Sequence, residues 1–205
     1  MAMHCDYIVN CEEVFDWDGR IYVILEYMNG GSLSSIIKDT FQLSEAFCKY
    51  SIYCVVLGLQ HMHNKQVLHR DIKSDNILVR PDGTVKICDL GLSAFNKDKE
   101  HKRLTQTGTP HWTAPEILQG HPYTNKVDVY SLGCTAYELA TGNPPFKNYK
   151  LQELQAILEE TPAEIDLTKF SENYWHFIQY CMQKNPTDRP DVAQLLNQPF
   201  LQGAE

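Results

Sequence analysis

The sequence predicts an α+β fold: a mainly α-helical body with one small β-hairpin at its working face and two further strands at the N-terminus. Three observations carry that expectation. Phe47, Ile52, Val55, Val56, Leu59 and Met62 recur at threes and fours after Ser44-Glu45, which reads as a long helix with a start signal. Ile77-Leu78-Val79 and the alternating, β-branched residues 84–88 flank a Pro81-Asp82-Gly83 turn, the signature of a hairpin. Residues 127–139 are apolar nearly all round and so suit a buried helix.

The other elements follow in order. Residues 8–14 and Arg20–Leu25 have strand character and flank a turn at 16–19. Glu26-Tyr27-Met28 comes next, then Asn29-Gly30-Gly31, whose glycines permit a tight bend, and Ser32-Leu33 begins a short helix. From Leu151 onward the chain reads as helical, broken at Pro162, Pro186 and Pro199. No internal repeat or low-complexity tract interrupts it. At 205 residues the length suits one domain.

Composition narrows the function. The net charge is −8 with no lysine/arginine block, so a nucleic-acid partner is not expected. No apolar run reaches the roughly 18 residues of a membrane span. The N-terminus lacks a charged segment followed by an apolar one, so neither anchor nor signal peptide is expected. The seven cysteines are odd in number, scattered and without C-x-x-C, as reduced and mostly buried thiols of a cytoplasmic protein would be. His61, His63 and His69 cluster in sequence, but positions two apart do not share a helix face, so zinc is not expected.

The octapeptide 69–76, H-R-D-I-K-S-D-N, places a carboxylate (Asp71), an ammonium (Lys73) and an amide (Asn76) on one short loop. The hairpin carries Asn76 at one outer end and Asp89, of Asp89-Leu90-Gly91, at the other, so that one ion could be shared between them. Ala114-Pro115-Glu116 closes the stretch. An isolated Asp-rich loop is usually a solvated turn and a lone lysine a surface charge; three motifs in this order and spacing resemble the catalytic half of a eukaryotic serine/threonine protein kinase. Leu90 stands where that family usually has phenylalanine, which keeps an apolar plug without the ring.

The resemblance implies a role for each residue. Phosphoryl transfer asks mainly for positioning and charge compensation. Asp71 would orient or deprotonate the attacking hydroxyl, Lys73 would neutralise the transferring phosphate, and Thr109 would bridge the two. Asn76 and Asp89 would hold Mg2+. The Glu26 carbonyl and Met28 amide would bond the adenine of ATP, with Leu25 behind the pocket and Leu78 also against the nucleotide. Alone, 26–31 would serve equally as an ordinary strand-to-helix loop; the downstream motifs favour the hinge. Asp128 would accept backbone amides of the catalytic loop, and Glu116 and Arg189 would form a buried ion pair, with Tyr130 in place of the family's tryptophan. The domain plan is then residual small-lobe strands and hinge (1–28), followed by a large lobe (29–205) with catalytic loop 69–76 and activation segment 89–116.

A complete kinase begins with a Gly-rich strand pair, a strand lysine and a helix glutamate. The first 25 residues hold only Gly19 and no lysine, so a fragment of a longer product is expected rather than a lost lobe, and stand-alone turnover is expected to be low. Residues 108–116, G-T-P-H-W-T-A-P-E, are similar to the G-T-P-Y-W-M-A-P-E of the sterile-twenty group and its mitogen-kinase relatives, departing at His111 and Thr113. The expected partners are ATP, a protein substrate, and an upstream kinase or a second copy phosphorylating in trans. The rival is a pseudokinase scaffold, disfavoured because Asp71, Lys73, Asn76 and Asp89 are all kept. The polar stretch 97–103 is expected to be mobile, with Thr105 after it as the regulatory phosphosite, Thr107 as its neighbouring rival, and Arg70 as the phosphate's partner. Asp75 and Glu138 could form an acidic patch that selects basic substrates, although a solvated or structural role for both weighs more.

Overall fold

The computed structural model describes residues 5–40, 43–95, 109–154, 162 and 164–204. Strands β1 (Cys11–Trp17) and β2 (Arg20–Leu25) pair antiparallel, with Glu13 opposite Ile24 and Trp17 opposite Arg20. Asp18 and Gly19 join them at φ of 53° and 69°. Asp-Gly is the pair that tolerates such left-handed angles, and the turn matches the right-handed twist of the strands.

The first strand differs from the expected 8–14. Ile8 and Val9 do not belong to the hairpin; they lie parallel to a strand of the body, where Val9 N–H donates to the Ile87 carbonyl at 2.8 Å and Ile87 N–H to that of Tyr7 at 2.9 Å. Two adjacent apolar side chains suit a segment buried on both faces. Ile8 and Val9 are buried, whereas the alternating hairpin beyond Asn10 is exposed.

Helix α1 (Leu33–Thr40) leads to α2 (Glu45–Asn64), where the Ser44 hydroxyl caps the start by accepting from Phe47 N–H at 3.3 Å. The apolar stripe of α2 faces the core: Ile52, Val55, Val56, Leu59 and Met62 are all buried. A β-carbon at Gly58 would sit 2.8 Å from Ile87 Cδ1 and 3.0 Å from the Tyr7 carbonyl, so only glycine lets α2 approach the body strand this closely. Then come β3 (Val67–Leu68), β4 (Ile77–Val79), β5 (Val85–Ile87) and β6 (Ala94–Phe95). β4 pairs with β5 as the expected hairpin, and β3 with β6.

The helical body continues with α3 (Pro115–Leu118), α4 (Lys126–Thr141), α5 (Leu151–Leu154), α6 (Glu172–Cys181) and α7 (Val192–Leu195). The all-round apolar sequence of α4 is matched by burial from Val127 through Ala136. Against it packs α6, whose Tyr174 hydroxyl donates to the Ala136 carbonyl at 2.8 Å and whose ring stacks on Phe200 at 4.4 Å. All seven cysteines are free, and Cys48, Cys54, Cys134 and Cys181 are buried. Burial pushes the Cys48 thiol up to about 12. Among the described residues no helix is long and apolar enough to cross a membrane.

Both faces of the β1–β2 hairpin are open, with Trp17 70%, Ile21 75% and Val23 53% exposed. Strand edges and apolar faces together promote association between copies. The 205-residue chain is therefore expected to self-associate, and the pair of changes Trp17→Lys and Ile21→Lys to suppress this. Light scattering after size exclusion checks it; a monodisperse monomer before any substitution would contradict the expectation.

Candidate active site

The 69–76 loop is hung from a buried carboxylate. Asp128, at the first turn of α4, is fully buried. Its oxygens accept the backbone N–H of His69 at 3.0 Å, that of Arg70 at 2.8 Å, and the His63 ring nitrogen at 2.8 Å. Burial alone would raise its pKa; the His63 hydrogen bond, the histidine charges and the Arg70 amide outweigh this and lower it. Arg70 is thereby held at φ 70°, in the left-handed region that non-glycine residues rarely occupy. Its guanidinium donates to the Tyr123 hydroxyl at 3.1 Å.

That bend delivers Asp71, only 6% exposed, into a ring of donors. Lys73 Nζ lies 2.8 Å from Oδ2, and Asn76 Nδ2 donates to the same oxygen at 2.9 Å and to the Asp71 carbonyl at 2.8 Å. The other oxygen, Oδ1, accepts from the Thr109 amide and hydroxyl, each at 3.2 Å. Lys73 also donates to Thr109 Oγ1 at 2.6 Å, which closes a triangle of Asp71, Lys73 and Thr109. Burial works to raise the Asp71 pKa, but Lys73, Asn76 and Thr109 prevail and hold it below the ordinary value of 3.8. The same partners favour the charged form of Asp71.

The hairpin register brings the two ion-ligand candidates to one end. Ile77 faces Ile87, and Cys88 N–H donates to the Asn76 carbonyl at 2.9 Å, so Asn76 and Asp89 begin and end the paired segment together. Asp89 sits at φ 61° and accepts from Gly91 N–H at 3.1 Å. Because Asn76 spends its amide nitrogen on Asp71, its Oδ1 is the atom left for a cation. Magnesium keeps several waters and takes one or two protein oxygens besides phosphates, so this pair fits it without a larger cage. No group of three or more His, Cys, Asp or Glu suited to a metal forms among the described residues.

The segment 26–31 is stitched to the same hairpin. Gly30 N–H donates to the Val79 carbonyl and Val79 N–H to that of Gly31, both at 2.9 Å. A β-carbon at Gly30 would lie 2.7 Å from the Val79 oxygen, so this approach needs glycine. Met28 is buried, Leu78 half-buried and Leu25 exposed. The catalytic loop does not line the cavity of about 440 Å³ that opens on the α1 side of the hairpin, between Ile36, Leu43, Phe47, Val79, Pro81 and Val85.

For Glu138 the structure favours the structural role over the acidic patch. Glu138 is buried, accepting from the Ser74 hydroxyl at 2.6 Å and Trp112 Nε1 at 3.1 Å, and burial pushes its pKa up. It joins the catalytic loop to the 109–116 segment from beneath and faces no substrate; Asp75 alone is exposed. Sequence reasoning missed this tie, because Ser74 and Trp112 reach Glu138 from two segments distant from it in the chain. Glu116 and Arg189 form a two-pronged ion pair at 2.6 and 2.7 Å, with the guanidinium 5.0 Å from the Tyr130 ring centre. Thr105 and the stretch 97–103 lie outside the described residues.

Residues 1–201 match the protein kinase domain family. The chain belongs to the protein kinase family. It is 39% identical over 203 residues to the serine/threonine-protein kinase pakC of Dictyostelium discoideum, covering 97% of this chain and 43% of that protein. It is 39% identical to the mitogen-activated protein kinase kinase 1c of Physcomitrium patens, covering 97% and 60%, and 38% identical to the serine/threonine-protein kinase shk1/pak1 of Schizosaccharomyces pombe, covering 98% and 31%. These kinases fit the sterile-twenty-like resemblance of residues 108–116. The chain spans less than two thirds of the length of each.

Proposed function

We propose that this kinase-family chain is the catalytic lobe of an ATP-dependent enzyme that phosphorylates serine or threonine on protein substrates. The observation that carries the reading is the closed triangle of Asp71, Lys73 and Thr109 beside Asn76. A charged carboxylate held this rigidly can orient a substrate hydroxyl and take its proton as the oxygen attacks. Lys73, shared between Asp71 and Thr109, stands where it can offset charge on the transferring phosphoryl group. Asn76 Oδ1 and Asp89 would hold magnesium, which supplies charge neutralisation along the triphosphate. The Glu26 carbonyl and Met28 amide would take the adenine edge, with Leu78 against the base. A scaffold would not need all four of Asp71, Lys73, Asn76 and Asp89, so catalysis is favoured over the pseudokinase reading. A cytoplasmic setting suits the seven free thiols. Activation by phosphate on Thr105, from an upstream kinase or a second copy, would draw on Arg70.

Magnesium titration of nucleotide binding tests the site. Asp89→Ala is expected to weaken magnesium-dependent binding more than Asn76→Ala, because it removes a full charge from the ion's surroundings. Equal and negligible effects would sink the ion site and favour the scaffold.

A further inference from the structure

Glu26 has a side chain that the nucleotide reading does not use. That reading needs only its backbone carbonyl, yet its carboxylate is 9% exposed and fully engaged. Oε1 accepts from Lys86 Nζ at 2.7 Å and from the Asn10 amide at 2.7 Å. Oε2 accepts from Arg80 Nη2 at 2.8 Å, and Arg80 Nε donates to the neighbouring Tyr27 carbonyl at 3.2 Å. A buried carboxylate between two cations is costly to assemble and is sustained only by such complete pairing.

The two cations come from opposite strands of one hairpin. Lys86 is buried in the middle of β5, directly across from Leu78, and Asp89 follows two residues after β5 ends. Arg80 follows β4. The segment 26–31 is thus pinned to the hairpin twice: by charge at Glu26 and Tyr27, and by the backbone pairing of Gly30 and Gly31 with Val79. Met28 lies between the two pins.

We propose that Lys86 and Arg80 are positioning residues for the purine, clamping Glu26 so that the Glu26 carbonyl and Met28 amide sit at a fixed height above Leu78. The clamp ties the base subsite to β5 and leaves the phosphate subsite beyond it untouched. Purine affinity is therefore set partly by a buried lysine that contacts no nucleotide atom. The inference rests on the nucleotide-binding reading given above.

The test uses the 205-residue chain and three variants, Lys86→Met, Lys86→Arg and Glu26→Gln, with MgADP and magnesium tripolyphosphate as probes in calorimetry. Lys86→Met is expected to weaken MgADP about tenfold, as a hydrogen bond to the base lost through misplacement of the Glu26 carbonyl or Met28 amide would, and to leave tripolyphosphate binding unchanged. Lys86→Arg should restore most of the affinity, which general destabilisation would not allow. Hydrogen exchange without nucleotide supplies a second readout: the amides of Tyr27 and Met28 should exchange faster in Lys86→Met and Glu26→Gln while those of α2 do not. Unchanged MgADP affinity, or an equal loss for both probes, would overturn the clamp. If the unsubstituted chain bound neither probe, the nucleotide reading itself would fail, and unchanged exchange at Tyr27 and Met28 would overturn the clamp independently.

Discussion

Asp71→Asn, in the chain joined to a complete small lobe, is expected to bind ATP as before and to lose phosphoryl transfer by about 10²–10⁴-fold. The substitution keeps the shape of the side chain and removes its charge. Oδ1 could still accept from Thr109, but the new amide nitrogen would face two donors, Lys73 Nζ at 2.8 Å and Asn76 Nδ2 at 2.9 Å from the present oxygen. Both would turn away. The hydroxyl of a substrate would then meet no base, and Lys73 would keep only Thr109 as its partner. Single-turnover phosphorylation of a generic peptide separates this from binding, since nucleotide affinity is measured alone. A variant that phosphorylates at the parent rate would remove Asp71 from the chemistry and return the scaffold reading to first place.

The same site shows which features a sequence can carry. The α2 stripe and the β4–β5 hairpin were legible because periodicity and turn chemistry act over a few residues, and burial followed them. The clustering of Asp71, Lys73 and Asn76 was legible because these donors and acceptors are near neighbours in the chain. Ile8 and Val9 were misread as hairpin because their β-character is real, but their partner is Ile87, far along the chain. For Glu138 the sequence left a solvated and a structural role unresolved beside the acidic patch; its burial depends on Ser74 and Trp112 arriving from two other segments. Glu26 shows the same limit. Its proposed backbone role rests on the hinge-like context of 26–31, while Lys86 and Arg80 reach its side chain only after the hairpin folds. Local patterns are written in sequence; charge partners brought together by topology are not.

Arg189→Met is expected to destabilise the fold by about 3–5 kcal/mol, the range for leaving one member of a buried ion pair alone. Arg189 is fully buried and uses all its hydrogen-bonding capacity. Nη1 donates to Glu116 and the Lys126 carbonyl, Nη2 to Glu116 and the Lys184 carbonyl, and Nε to the Gln183 carbonyl. Methionine fills much of the volume but supplies no donor, so Glu116 would remain buried and uncompensated. Three carbonyls would also lose partners, and that part of the cost is not the ion pair's. A double-mutant cycle with Glu116→Met separates the two contributions. The double variant has no stranded carboxylate, so it should be more stable than the sum of the single losses allows. Urea unfolding of all four proteins reads this directly. Strictly additive losses would mean that Glu116 and Arg189 are not coupled, and that the cost of losing Arg189 lies in its contacts to the Lys126, Gln183 and Lys184 carbonyls, which tie the start of α4 to residues 183–184. The coupled result would instead make the ion pair the tie between the 109–116 segment and the base of the large lobe, with Tyr130 packed against its cationic side.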